Sequence, residues 1–300
     1  MLKLYYHSIY THGIDPEARF PRERYELLAE RLRGHPAIEF HEPRQVTRDE
    51  LILAHDADYV DRFLDNALTD KEMRRIGLRP WTPEIVARTL HLMGGSLQAQ
   101  EQVLEHGGIA GNMAGGTHHA YRDFGSGYCI FNDLALCALH ALERPEVNRI
   151  LIIDLDVHQG DGTAAMLGEV PGVVTCSVHG EKNFPTRKQS SVLDIALPDD
   201  TGDDEYLQAV DSVLQQFPLQ DFDLVFYQAG VDPLIDDRLG RLAITRNGLD
   251  RRNRRVFEAA RTAGKPVLVF MGGGYAEPIT PTIDAFEDLF TAAAVFARLG

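Results

Sequence analysis

The sequence predicts an α/β protein, a single three-layer α/β/α domain over residues 1–300 with a mainly parallel central sheet. Three observations predict it. Short apolar runs recur at Ile109–Met113, Ile150–Ile153, Val173–Val178, Leu224–Tyr227 and Val267–Met271, the pattern of strands buried on both faces. Stretches of helical periodicity alternate with them, as in a parallel sheet covered by helices. Each run also ends in a polar or glycine-rich cluster, where such sheets bind ligands.

Taken in order, Leu2–Tyr6 reads as a first strand and His7–Phe20 as a loop rich in His, Gly and Pro. Pro21 suits the first turn of a helix to about Arg33, with Tyr25, Leu27, Leu28 and Leu32 as its apolar stripe. Ile38–His41 is a short strand. Thr47-Arg-Asp-Glu50 fits a capping box, and Ala57–Leu68 forms another helix. Thr82 caps a long helix with Pro83 at its first position, closed by Gly107-Gly108. Further helices are expected at Asn132–Leu142, Asp204–Gln216, Arg246–Thr262 and Ala285–Leu299. No linker, repeat or composition shift divides the chain.

Composition bounds the function. The chain is 44% hydrophobic and 25% charged, with 30 basic against 45 acidic residues and a net charge of −15. That balance argues against a broad phosphate-binding surface and a direct nucleic-acid partner. Three cysteines, Cys129, Cys137 and Cys176, make no disulfide framework. No apolar stretch approaches a membrane span and the N-terminus lacks a signal-peptide core, so a cytoplasmic location is expected. Oligomeric state is not readable.

The richest stretch is Ile150–Gly162. A buried strand runs straight into Asp154, Asp156, His158 and Asp161, with no Lys or Arg before Val170 to neutralise them. Alternation puts Asp154, Asp156 and His158 on one side of the chain. Two carboxylates and an imidazole suit a divalent ion, zinc or ferrous iron. Asp232, after the Leu224–Tyr227 run, completes Asp156, His158 and Asp232 as three protein ligands, the number a catalytic metal site keeps. His118 and His119 are adjacent, so they suit a base and an acid better than one ion, with Asp154 and Asp161 available to orient them. Tyr275, on the Gly272–Gly274 loop, is placed to donate to an oxyanion. That loop lacks the Lys-Ser/Thr of a phosphate-binding loop.

At these residues the chain resembles the histone deacetylase superfamily, within the arginase–deacetylase fold. The matching pieces are Gly115-Gly-Thr-His-His-Ala120, Gly127-Tyr-Cys-Ile-Phe-Asn-Asp133, Asp154-Leu-Asp-Val-His-Gln-Gly-Asp-Gly162, Ala229-Gly-Val-Asp232 and Gly272-Gly-Gly-Tyr275. The resemblance implies a zinc-dependent deacylase of Nε-acyl-lysine, or of small acetylated amines such as acetylpolyamines. It makes Asp156, His158 and Asp232 the zinc ligands, and pairs His118 with Asp154 and His119 with Asp161. Tyr275 becomes the group that polarises the acyl carbonyl. A substrate tunnel is implied at Gly127, Tyr128, Phe184 and Gly273, and a K+ or Na+ site at Asp154, Asp156, His158, Ser177 and Val178. Gln159 stands where a second His is common, and Tyr128 where Phe is frequent. Glu84–Leu90, Asp156–Gly160, Asp203–Tyr206 and Gly230–Gly240 look most like the class IV branch. Because part of the Asp154 charge is spent beside the ion, His119 is expected to have the higher pKa of the two histidines.

Overall fold

A computed structural model of the chain describes residues 1–299. Eight strands form one sheet: β1 (Leu2–Tyr5), β2 (Ile38–His41), β3 (Ile109–Asn112), β4 (Ile150–Asp154), β5 (Val173–Gly180), β6 (Leu193–Leu197), β7 (Leu224–Gln228) and β8 (Val267–Phe270). Their order is β2-β1-β3-β8-β7-β4-β5-β6 and every pairing is parallel, so the sheet is wholly parallel where a mainly parallel one was expected. β4, β7 and β8 are buried along their whole length, as their uninterrupted apolar runs require. The layers are those of the arginase–deacetylase fold.

Helices supply the covering layers: α1 (Ile9–His12), α2 (Arg24–Leu32), α3 (Arg48–Ala54), α4 (Ala57–Leu64), α5 (Asp70–Ile76), α6 (Glu84–His106), α7 (Asp133–Leu142), α8 (Asp161–Leu167), α9 (Asp203–Gln216), α10 (Arg246–Ala263) and α11 (Thr280–Leu299). The Thr47–Glu50 capping box is present with both reciprocal bonds. The helix expected over Ala57–Leu68 ends earlier, at Leu64, and a separate helix that was not expected, α5, starts at Asp70 behind a second capping box of Thr69 and Glu72. The long helix begins at Glu84 after Pro83; the Thr82 hydroxyl is buried without a partner instead of capping it. β6 was not expected, since its alternating half-buried pattern marks it as the sheet edge and leaves no solid apolar run. No helix among the described residues is long and apolar enough to cross a membrane.

The strand order determines where the chemistry meets. β3, β8, β7 and β4 are consecutive neighbours, so the segments leaving their carboxyl ends converge although they lie far apart in sequence.

Candidate active site

β4 carries the apolar run Ile150–Ile153 to the carboxyl-end rim of the sheet and ends on Asp154. Beyond it the chain does not continue as a strand. Asp154 Oδ1 accepts the Asp156 N–H at 3.2 Å and Asp156 Oδ1 accepts the His158 N–H at 3.0 Å, a pair of side-chain turns. These turns, not strand alternation, bring the three side chains together.

Asp156, His158 and Asp232 each present a ligand atom within 4.8 Å of the others, and all three are buried. His158 Nδ1 lies 3.1 Å from Asp156 Oδ1 and 3.0 Å from Asp232 Oδ2. The backbone holds the carboxylates: Gly273 N–H donates to Asp156 Oδ2 at 2.7 Å, and Val157 N–H to Asp232 Oδ1 at 2.9 Å. A side chain at Gly273 would collide with the Asp232 carboxylate. No Lys or Arg forms an ion pair with either carboxylate among the described residues. Burial, then the Asp156 charge, pushes the Asp232 carboxyl up to about 7. Burial works against a charged His158, yet hydrogen bonds to both carboxylates hold it up at about 10. The cluster thus takes up protons for want of positive charge, and a divalent cation answers the same need. With two oxygen donors and one imidazole, the residues fit zinc or ferrous iron.

His118 and His119 follow β3 on a loop fastened by Asp133. Asp133 Oδ1 accepts the Thr117 N–H and hydroxyl at 2.8 and 2.6 Å; Oδ2 accepts the Gly116 N–H at 3.1 Å and the Ser96 hydroxyl at 2.8 Å. His118 Nδ1 meets Asp154 Oδ2 at 2.7 Å, and His119 Nδ1 meets Asp161 Oδ1 at 2.6 Å. Tyr121 donates to the other Asp161 oxygen at 2.9 Å. His118 Nε2 points toward the acidic cluster, 3.8 Å from Asp156 Oδ1.

The chain's own groups set the two pKa values in the opposite order to the one expected beside a bound ion. Burial lowers the His118 imidazole, but Asp154 and then Asp156 overcome it and hold it up at about 9. His119 is lowered to about 4 by burial and by the neighbouring His118 charge, against Asp161. Asp154 lies against His118, with Asp156 adding to its effect. Positive charge bound by Asp156 would act on His118 in the opposite sense.

Tyr275 faces this group across the pocket, its ring 6.5 Å from that of His158 and 5.9 Å from that of Tyr128. Its N–H donates to Asp237 Oδ2 at 2.6 Å, which anchors the glycine loop. Burial raises its hydroxyl well above the ordinary value against Arg24, so it remains a proton donor. Phe184, 44% exposed, stands edge-on to His119 at 4.9 Å. Tyr128 and Gly127 both take left-handed backbone, at φ 66 and 54. A Cβ on Gly127 would sit 2.6 Å from the His119 ring, so the bare backbone is required there. A cavity of about 360 Å³ runs between Tyr128, Phe184 and Tyr275 down to His119 and His158. Ser177 and Val178 lie on β5, Ser177 in register with Asp154, and the Ser177 hydroxyl bonds His179 Nδ1 at 2.9 Å. A larger open trough of about 1010 Å³ between α9 and α10 has no such cluster in its lining.

Two supporting residues escape sequence reasoning. Arg252 on α10 is fully buried, has no carboxylate partner among the described residues, and donates to the carbonyls of Leu155, Ala229 and Gly230 at 3.3, 3.2 and 2.7 Å. Arg24 is buried among the rings of Phe20, Tyr25 and Tyr275 and donates to the Gly274 carbonyl at 3.2 Å. In sequence both pass for surface charges of amphipathic helices, and only packing reveals them.

A sheet with an acid–imidazole–acid cluster facing two carboxylate-backed histidines defines a hydrolase class, and the comparisons name it. Residues 18–286 match the histone deacetylase domain, and the chain belongs to that family. It is 46% identical over 292 residues to an uncharacterized protein of Picosynechococcus sp., covering 96% of this chain and 97% of that one. It is 30% identical to histone deacetylase 2 of Arabidopsis thaliana over 86% of this chain and 69% of that one. It is 29% identical to acetoin utilization protein AcuC of Bacillus subtilis over 91% and 76%. The chain is a hydrolase acting on amide bonds.

Proposed function

We propose that the chain, as one catalytic domain over residues 1–300, hydrolyses the amide of an Nε-acyl-lysine, with zinc held by Asp156, His158 and Asp232. The observation that carries this reading is the buried acid–imidazole–acid cluster, of which Asp156 and His158 line one small cavity together with His118, His119 and Tyr275. Bound there, zinc supplies Lewis acidity and a water of lowered pKa. His119, kept neutral beside a protonated neighbour, accepts the proton of an attacking water, and Asp161 at 2.6 Å supports the imidazolium that forms. That proton then becomes available to the departing amine. The Tyr275 hydroxyl donates to the developing oxyanion. Tyr128 and Phe184 both line the cavity and offer ring surface to an extended aliphatic stem, which is the shape of a lysine side chain.

The histone deacetylase name of the Arabidopsis thaliana relative supports the reaction type. The class IV likeness, the K+ or Na+ site at Asp154, Asp156, His158, Ser177 and Val178, and a cytoplasmic location belong to the same reading. The second substrate reading, a small acetylated amine, shares every step of this chemistry. Zinc-loaded protein assayed for released acyl acid on acetyl-lysine peptides, long-chain acyl-lysine peptides and acetylpolyamines separates them. Turnover of none of the three overturns the proposal, and a preference for acetylpolyamines moves it to small amines.

A further inference from the structure

The outer half of the active-site cavity is unlike the rest of the molecule in charge. The chain carries −15 overall, yet the lining of this cavity holds two fixed cations, Lys182 and Arg241, and no carboxylate. Both reach one acid behind the rim, Asp199, and both use the same oxygen: Lys182 Nζ at 3.2 Å and Arg241 Nη1 at 3.4 Å from Oδ2. The other Asp199 oxygen has no hydrogen-bond partner among the described residues. One long, shared contact leaves most of the ammonium and guanidinium donors unused, and both side chains are more than half exposed.

The two cations are held in place rather than carried on free loops. The Asn183 amide donates to the Leu239 carbonyl at 2.7 Å, tying the segment that carries Lys182 and Phe184 to the one that carries Arg241. Lys188 Nζ gathers the carbonyls of Glu181, Asn183 and Pro185 at 3.1, 2.6 and 2.8 Å, which fixes the turn around Phe184. The Arg241 carbonyl in turn accepts the Asp200 N–H at 2.8 Å. A substrate whose acyl-lysine stem passes Phe184 and Tyr128 must present its backbone and flanking groups at this rim.

Resting on the acyl-amine reading of the site, we propose that Lys182 and Arg241 form a carboxylate-recognition subsite at the cavity mouth. The favoured substrate carries an anionic group beside the acylated amine. That group is an acidic residue flanking the acyl-lysine or the free α-carboxylate of a single acyl-lysine. Polycationic substrates, acetylpolyamines and lysine-rich tails alike, meet like charge at the point of entry.

The test uses full-length, zinc-loaded protein and matched acetyl-lysine peptides flanked by Glu or by Lys, together with free Nε-acetyl-lysine and its α-amide. The Glu-flanked peptide should have the higher kcat/KM by roughly 3- to 10-fold at low ionic strength, shrinking as salt is raised. In the double variant Lys182→Glu/Arg241→Glu that ratio should invert. Each ratio is internal to one protein, so a change in overall rate or stability does not disturb it. Preference confined to the peptide pair assigns the subsite to a flanking residue; preference confined to free acetyl-lysine over its amide assigns it to the α-carboxylate. Equal rates within both pairs, or ratios unchanged in the double variant, overturn the subsite. If no acyl-lysine compound is turned over, the reaction reading falls and calorimetric binding of the same peptides decides the subsite separately. Tighter binding of the Glu-flanked peptide upholds it, and equal affinities overturn it.

Discussion

The imidazoles of His118 and His119 lie 4.1 Å apart, centroid to centroid, and the surroundings favour the charged form of the first and the neutral form of the second. His118 stays protonated up to about 9, and its charge helps to push His119 down to about 4. Two adjacent residues in sequence thus become an unlike pair, because each turns its Nδ1 to a different carboxylate on a different element. An acid–base pair needs this asymmetry.

Asp161→Asn tests the pairing through the acid side of the rate profile. Asp161 raises His119 through its hydrogen bond and charge, so its loss as an anion lowers His119 further. A base that protonates only at lower pH keeps its activity to lower pH. The acid limb of kcat/KM on an unactivated acyl-lysine peptide should therefore move downward while the maximum rate falls. An acid limb that moves upward or stays in place refutes His119 as the base.

Stability should fall on mild acidification. His55, His119 and His179 are buried, and burial is the largest cause that brings each to about 4. A histidine whose native pKa lies below its ordinary 6.5 contributes stability that is present above 6.5 and is lost as pH falls toward 4. For His55, which accepts the Asn132 N–H at 2.9 Å, that amounts to about 3 kcal/mol at most. Denaturant midpoints measured from pH 7 to 4.5 should drop, and His55→Gln should flatten the slope. An unchanged slope in that variant removes His55 from the account.

Tyr275→Phe should lower turnover by about 100- to 1,000-fold, the usual cost of one oxyanion donor, with zinc content and melting temperature near those of the parent. The ring packing against Tyr128 and Phe20 survives the change, so only the hydroxyl is tested. Near-parent rates would make Tyr275 a wall residue.

Arg252→Met should reach the metal site without touching a ligand. The guanidinium bonds carbonyls of both loops that present Asp156 and Asp232; Leu155 keeps the Tyr206 hydroxyl, but leaving the Ala229 and Gly230 carbonyls buried and unpaired costs about 2 kcal/mol or more in total. Zinc affinity, read by competition with a chelator, should fall roughly 10- to 100-fold, as for other groups that orient ligands. Asp232→Ala should lose most of the metal outright. Arg252→Met with parent zinc affinity would confine Arg252 to folding.

The sequence by itself determined what depends on local order along the chain. Apolar runs such as Ile150–Ile153 must be buried strands, because no other placement hides them. The polar residues at their ends must then lie on one rim of a parallel sheet, which made His118, His119, Asp156, His158, Asp232 and Tyr275 legible as a set. What depends on contacts between distant segments was decided only by the tertiary structure. β4 and β7 become neighbours through the strand order, and that brings Asp232 to within hydrogen-bond reach of the Val157 N–H. Arg252 and Arg24 become interior residues because helix packing, not helical periodicity, buries them. The pKa values that the chain's own groups give the two histidines belong to the same category. A pKa sums burial and every nearby charge, and those distances exist only once the chain is folded.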